Sequence, residues 1–355
     1  MKFIHMADMH FDSPFTVLNT RGNLGEKRRL EQREVFKKII QYIKENQIEY
    51  FFIAGDLYEH QYIRESTIRY INSLFKEISN TKIYITPGNH DPKILNSFYE
   101  KYKWSDNVKI FNNNVEIVEN DDADIYGCGF NDFYFEKSEI ENIQIKNKDK
   151  INILITHGTL DGGSTANFEY NPIHKNILKQ IGFDYVALGH IHKLDYNTEP
   201  NQRIVYPGST ISLGFDEPGK HGVILGEITK ENISLEFLNM DLKEFKEINM
   251  DISDILSEEE LIEKINELEL SKNIFYKINL IGKRNFEINI YNLYKFILNE
   301  NIIKLKDKTQ VNIDINKIAN EINLRGLFLN EILEDEKNNI ISSEQAEKII
   351  EIGLN

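Results

Sequence analysis

Five short segments of the chain combine side chains that bind divalent metals: Asp8-Met9-His10, Gly55-Asp56-Leu57-Tyr58, Gly88-Asn89-His90-Asp91, His157-Gly158 and Gly189-His190-Ile191-His192. Together they offer carboxylates, imidazoles and one amide oxygen. That set suits Mn2+, Fe2+ or Zn2+ in mixed nitrogen and oxygen coordination, and His is the commonest metal ligand near neutral pH. Each segment alone is a weak signal, because Gly-Asp and similar pairs are ordinary turn formers. The concentration carries more: five of the nine histidines, His10, His90, His157, His190 and His192, fall in these segments. Two cations about 3.5–4 Å apart can clamp the attacking and leaving oxygens of an in-line phosphoryl displacement. The lone cysteine, Cys128, lies outside the pattern, which argues against a thiolate zinc site and excludes a disulfide framework.

Side chains so far apart in sequence need a scaffold that brings them to one rim. Each segment follows a short apolar run that reads as a strand: Lys2–Ala7, Tyr50–Ala54, Thr81–Thr86, Ile151–Thr156 and Asp184–Leu188. In α/β sheets, ligands bind beyond the carboxyl ends of the strands. Between the early strands, Glu26–Asn46 places Leu30, Val35, Phe36, Ile39, Ile40 and Ile43 at helical spacing, and Ile63–Ser79 does the same with Ile68, Ile71, Leu74, Phe75 and Ile78. Further strands are expected at Val108–Phe111, Val115–Val118 and Asp124–Cys128, a helix near Ile173–Ile181, and mostly strand from Arg203 to Met240. Strands alternating with helices and then giving way to more strands predict a layered α/β sandwich. A boundary is expected around Asp251–Glu258. Beyond it, helix Glu259–Leu268, strand Ile274–Ile281, helix Ile288–Asn299 and strand Ile303–Ile313 make a small α+β module, followed by two short helices at Arg325–Glu334 and Ser343–Ile352.

The 355 residues suffice for two or three domains. The N-terminus does not read as a signal peptide, and no run reaches the ~18–20 apolar residues of a membrane helix. A soluble, cytoplasmic protein without membrane association is expected. The net charge of −15 argues against a protein that coats nucleic acid by bulk electrostatics. It leaves room for a nucleic-acid enzyme whose cations and partner subunit supply positive charge. Other polar residues have ordinary readings. His5 is structural, His174 and His221 are surface or turn residues, and Trp104 packs in the core. Lys27, Arg28, Arg29 and Arg33 form a solvated helix face, with contact to a phosphate backbone as the alternative.

The order DxH, GDxY, GNHD, HG, GHxH resembles the calcineurin-like metallophosphoesterase superfamily. The opening MKFIHMADMHFDSPF is similar to the bacterial SbcD-type DNA repair exonucleases, including the YhaO-like group, prokaryotic relatives of the eukaryotic Mre nuclease. Gly127–Phe130 and Tyr206–Leu225 extend the resemblance over roughly residues 1–240. It implies a layered β-sandwich metallophosphoesterase domain flanked by helices at 1–250, a small α+β capping domain at 255–318, and C-terminal helices at 319–355 that dock a partner or pack on the capping domain. It implies that Asp8, His10, Asp56 and His192 hold a first metal and that Asp56, Asn89, His157 and His190 hold a second, most often Mn2+. His90 would act on the leaving group, with Asp91 supporting its loop. The implied activity is a 3′→5′ exonuclease with some endonuclease activity on DNA. The implied partners are an SMC-like ATPase of the SbcC or YhaN type and a second copy of the chain, with Ile63–Ser79 as the candidate dimer region. The chain departs from the family after Tyr58, where Glu59-His60-Gln61 stands in place of the usual Asp, and His60 is a candidate substrate contact. The Gly-rich tip Asp161–Thr165 says little about specificity. Two alternatives stay open: hydrolysis of a small phosphodiester or phosphomonoester at the same site, and a non-catalytic scaffold.

Overall fold

The computed structural model describes residues 1–18, 22–134, 139–161, 170–199, 201–312 and 315–354, so the Gly-rich tip after Asp161 lies outside the described residues. The chain divides into two compact units, Met1–Phe245 and Lys246–Asn355.

In the first unit the elements run β1 (Lys2–Met6), α1 (Leu24–Glu45), β2 (Tyr50–Ala54), α2 (Glu65–Glu77), β3 (Lys82–Thr86), α3 (Phe98–Lys101), β4 (Val108–Ile110), β5 (Glu116–Glu119), β6 (Ala123–Cys128) and β7 (Ile151–His157). They continue with β8 (Thr159–Leu160), β9 (Pro172–Ile173), α4 (Lys175–Ile181), β10 (Tyr185–Gly189), β11 (Ile204–Val205), β12 (Gly222–Ile228) and β13 (Ile233–Asn239). One sheet has the order β13-β12-β1-β2-β3-β4 and the other β11-β10-β7-β6-β5. Within them β1, β2, β3 and β4 run parallel, as do β6, β7, β10 and β11. All five strands that precede a candidate ligand segment therefore end at the same edge of their sheet.

The strand YFFIA is apolar throughout because β2 is buried on both faces. Its side chains alternate. Phe52 and Ala54 join Phe3, Tyr84, Ile125, Ile153, Ile155, Tyr185 and Ala187 in the core between the sheets. Phe51 points the other way and meets Phe75 of α2. This layering is the α/β sandwich that the strand and helix pattern predicts. One detail of α1 differs. Leu30 is 58% exposed, whereas Arg28 is fully buried. Arg28 donates two hydrogen bonds to Asp241, at 2.8 and 2.6 Å, and one to the Ser212 carbonyl. Arg33 is tied to Asp12 and Thr67. These two arginines clamp α1 to the loops after β1 and β13 and do not form a solvated face. A buried guanidinium with a bidentate carboxylate satisfies its charge internally.

The second unit begins along β14 (Glu244–Asp251), followed by α5 (Glu258–Asn266), β15 (Ile274–Ile281), β16 (Lys283–Arg284), α6 (Ile290–Phe296), β17 (Ile302–Asp307), β18 (Gln310–Val311), α7 (Ile315–Ala319), α8 (Leu324–Lys337) and α9 (Ser343–Leu354). The sheet β14-β15-β17 buries Ile278, Leu280, Ile302 and Leu305 against Leu261 and Ile265 of α5 and Leu293 of α6. Side-chain caps start four of its described helices: Ser257 accepts from the Glu260 amide, Asn289 from Asn292, Asn323 from Gly326 and Ser342 from Gln345. The last three helices share a small cluster of Ile318, Leu329 and Ile350. Among the described residues no helix is long and apolar enough to cross a membrane.

Candidate metal centre

Beyond the sheets' carboxyl edge the backbone leaves ordinary conformations. Asp8, His10, Asp56 and His190 all have positive φ, at 51°, 49°, 51° and 100°. Each such non-glycine residue costs about 1 kcal/mol or more, and persists only where its surroundings over-determine it. Here the loops after β1 and β2 brace each other: the amides of Asp8, His10 and Phe11 donate to the carbonyls of Gly55, Asp56 and Leu57. The His190 amide donates to the Asp8 carboxylate at 3.1 Å. Gly55, with φ of 87°, leaves room for the His157 ring, since a Cβ there would lie 2.1 Å from His157 Nδ1.

The side chains then converge. Three donor sets each lie within 4.8 Å: Asp8, His10 and His192; Asp8, Asp56 and His157; and His10, Asp56 and His90. Asn89 Oδ1 lies 3.1 Å from His157 Nε2 and 3.2 Å from His190 Nδ1, which adds those two residues to the second set. The structure thus brings all seven candidate ligands together. It also brings a His90 nitrogen among them, a residue the family resemblance keeps out of the ligand set.

The outer ring atoms decide what faces inward. His157 Nδ1 donates to the Ala54 carbonyl at 2.9 Å, His10 Nδ1 to Glu59 Oε1 at 2.8 Å, and His192 Nδ1 to Glu217 Oε1. An imidazole that donates through Nδ1 presents the lone pair of Nε2, and such outer partners are the usual companions of metal-bound histidines. His10 Nε2 and His192 Nε2 face each other at 3.2 Å, and His157 Nε2 faces Asp56 Oδ2 at 3.3 Å. Acceptors this close require positive charge between them, from protons or from cations. The donor set therefore fits a pair of divalent ions.

Electrostatics follow the same lines. Burial alone would raise Asp56, but the His157, His10 and His90 rings hold it well below the usual carboxylate range. Burial opposes charge on His157, yet Asp56 and Asp8 push it up to about 9. Burial and the neighbouring His157 push His190 down to about 3, as suits a neutral ligand. His90 is the most accessible ring, 46% exposed. Its Nδ1 donates to Glu59 Oε2 at 3.0 Å, and against the effect of burial, Glu59 and Asp56 raise it to about 9. Both carboxylates favour its protonated form, the form able to donate a proton. Asp91 is wholly buried. It accepts from the amides of Gly88 (2.6 Å), Leu57 (2.7 Å) and Asp56 (3.1 Å) and from Tyr99 OH (2.6 Å), which fixes the loops that carry Asp56 and His90. It supports the site from beneath.

Two residues of the site receive no role from the sequence, although Glu59 stands where the chain departs from the family. Glu59 joins His10 to His90, and Glu217 holds His192 while accepting from Ser209 Oγ and the Leu213 amide. His221, expected at the surface, is 5% exposed and bonds to Ser209 and to the Glu217 carbonyl, because the loop after β11 folds under the site. His5 is structural, as expected: Tyr185 OH lies 2.9 Å from its Nδ1, and its Nε2 donates to the Leu188 carbonyl. The His60 amide donates to the His90 carbonyl.

"Uncharacterized metallophosphoesterase YhaO" of Bacillus subtilis (strain 168) is 26% identical over 250 residues, 67% of this chain and 60% of that protein. A nuclease subunit of SbcCD from Staphylococcus epidermidis is 27% identical over 298 residues, 73% of this chain and 75% of that one. The chain thus spans less than two thirds of the YhaO protein. The crystal structure of TT1561 of Thermus thermophilus overlays with a TM-score of 0.38 at 12% identity, over 66% of this chain and 98% of that one. The model of the calcineurin-like phosphoesterases, hydrolases that typically bind a dinuclear metal centre, matches residues 1–194. That span runs from β1 past His192 and includes every candidate ligand, and the chain belongs to this family.

Proposed function

We propose that the protein is a dinuclear-metal phosphodiesterase that acts on DNA, as a 3′→5′ exonuclease with endonuclease activity, and serves as the nuclease subunit of an SbcCD-like complex. The observation that carries the phosphodiesterase reading is the convergence of the donor sets on Asp8 and Asp56 beneath the exposed ring of His90. Asp8, His10, Asp56 and His192 would hold one ion, and Asp56, Asn89, His157 and His190 the other. When bound, the two ions supply Lewis-acid polarisation of the scissile phosphate and activation of water. The chain's own residues do the rest. Asp56 links the two halves of the site. Glu59 keeps His10 and His90 in the Nδ1-protonated form. His90, oriented through Nδ1 by Glu59, would deliver a proton to the departing 3′ oxygen. Asp91 keeps both loops in place.

The relative named as a nuclease subunit supports DNA as the substrate. In this reading residues 255–318 form a capping domain that shapes access to DNA, and the C-terminal helices dock on an SMC-like ATPase. The deciding experiment is Mn2+-dependent digestion of end-labelled duplex DNA by the wild type and His90→Asn, with metal content measured on both. The expected result is shortening from the 3′ ends by the wild type, and a variant that retains two ions but does not cut. Cleavage of bis-p-nitrophenyl phosphate with intact DNA, even when the ATPase partner is added, would replace DNA by a smaller phosphodiester.

A further inference from the structure

The stretch Phe130–Tyr134 lays three rings around the metal end. Phe130 meets the His157 ring edge-on at 5.7 Å, and Phe133 meets His60 edge-on at 5.7 Å. Tyr134 stacks on Tyr170 at 6.1 Å and 25°, and Tyr170 lies 5.0 Å from the His190 ring. Phe130 is fully buried and is explained by packing. Tyr134 is not, because it stays 53% exposed while its ring is aligned on Tyr170. Two tyrosines thus step outward from a candidate ligand, His190, toward the surface.

We propose that Tyr134, backed by Tyr170, is a stacking subsite for a nucleobase of a single-stranded oligonucleotide whose backbone enters the metal centre. The subsite rests on the phosphodiesterase reading above and narrows its substrate to nucleic acid with an unpaired end. Three arguments carry it. Every base has a π-face, so a ring beside the centre grips any sequence. A duplex hides those faces in its own stack, so the subsite selects frayed or single strands. The chain carries a net charge of −15 and does not hold a polyanion by bulk charge, so base stacking adds to the grip that the ions and a partner subunit supply. A phosphoprotein or a small phosphomonoester brings no base to such a ring. Tyr170 orients Tyr134 and abuts His190, so Tyr134 is the residue to change.

The test compares wild type, Tyr134→Ala and Tyr134→Phe on a short single-stranded DNA, on the same strand with an abasic position moved along it, and on bis-p-nitrophenyl phosphate. Unfolding temperature and Mn2+ content establish that the variants are intact. Binding of a 2-aminopurine oligonucleotide without added metal, read by fluorescence quenching, is independent of turnover. Loss of one stacked base weakens binding by a factor of about 5 to 150. Tyr134→Ala should raise KM for the oligonucleotide by a factor in that range with kcat nearly unchanged, and should abolish the quenching. Tyr134→Phe should remain close to wild type. One abasic position should cost the wild type a similar factor and cost Tyr134→Ala nothing more. If Tyr134→Ala binds, quenches and cleaves like the wild type, the subsite is wrong and the nuclease reading survives. If the wild type hydrolyses bis-p-nitrophenyl phosphate but neither binds nor cuts any oligonucleotide, the subsite and the DNA reading fall together.

Discussion

Glu59 shows how much of this site depends on single atoms. Its two carboxylate oxygens take Nδ1–H of His10 and of His90, so one side chain sets the tautomer of a candidate ligand and the charge of the candidate acid. Glu59→Gln keeps the shape and removes the charge. Loss of such an outer partner typically costs 10–100-fold in metal affinity or activity, and calorimetric titration with Mn2+ should find a loss of about that size. Unchanged affinity would reduce Glu59 to a spacer. The candidate ligands, which the structure brings together, were legible in the sequence, because Asp, His and Asn at strand ends are chemically distinctive. Glu59 and Glu217 were not, since glutamate is an ordinary loop residue and nothing in its spacing shows which imidazole it will face. His5 gives a second prediction. Buried between the sheets, it is pushed down to about 3. An unfolded chain with an ordinary His pKa near 6.5 therefore binds more protons between about pH 3 and 6.5, and this contribution to stability, complete above pH 6.5, is lost as pH falls through that window. Between pH 7 and pH 5 the wild type should lose about 2 kcal/mol more than His5→Gln in urea unfolding. Equal losses would mean that His5 is hydrated or already charged.

Strand ends make the site possible, and glycines let them approach. A Cβ on Gly189, the last residue of β10, would lie 1.8 Å from the Ala54 carbonyl at the end of β2. Here a strand of one sheet packs directly on a strand of the other, beside the candidate ligand His157. Gly182, which caps α4 at φ 84°, has nothing within 4 Å of a Cβ. Both are helix- or strand-end glycines, yet the costs should separate. Gly182→Ala carries only the left-handed backbone penalty of about 1 kcal/mol. Gly189→Ala must move a strand in a close-packed interior, which costs typically 1–3 kcal/mol and occasionally more, and should also lower Mn2+ content. Equal unfolding temperatures for the two variants would contradict the close approach of the sheets. The sandwich itself was readable, since YFFIA and the helical stripes of α1 and α2 have strong periods. The inward turn of Arg28 was not. It depends on Asp241, more than two hundred positions away, and no local pattern records that partner.

At the scale of the whole chain, every candidate ligand lies in the first unit, so the second unit needs another reason to be there. Apolar residues of its last helices divide into two sets. Leu329 and Ile350 are buried with Ile318 in the helices' own cluster. Leu324, Leu327 and Ile352 are 82%, 69% and 74% exposed. The sequence predicted two short helices here but could not tell which apolar positions they would use on one another. Single exposed leucines are commonplace, but Leu324 and Leu327 are three residues apart and share one face of α8. A partner helix laid on that face would bury both. Asp in place of both leucines should then leave unfolding temperature, Mn2+ content and small-diester hydrolysis unchanged, because exposed substitutions usually act within about 0.5 kcal/mol. If the proposed complex forms, affinity for the SMC-like ATPase should fall by about 30-fold or more, the size expected when a central apolar anchor is lost. Co-purification at the wild-type level would remove this face from the interface. A sharp drop in unfolding temperature would assign the leucines to the second unit's own stability.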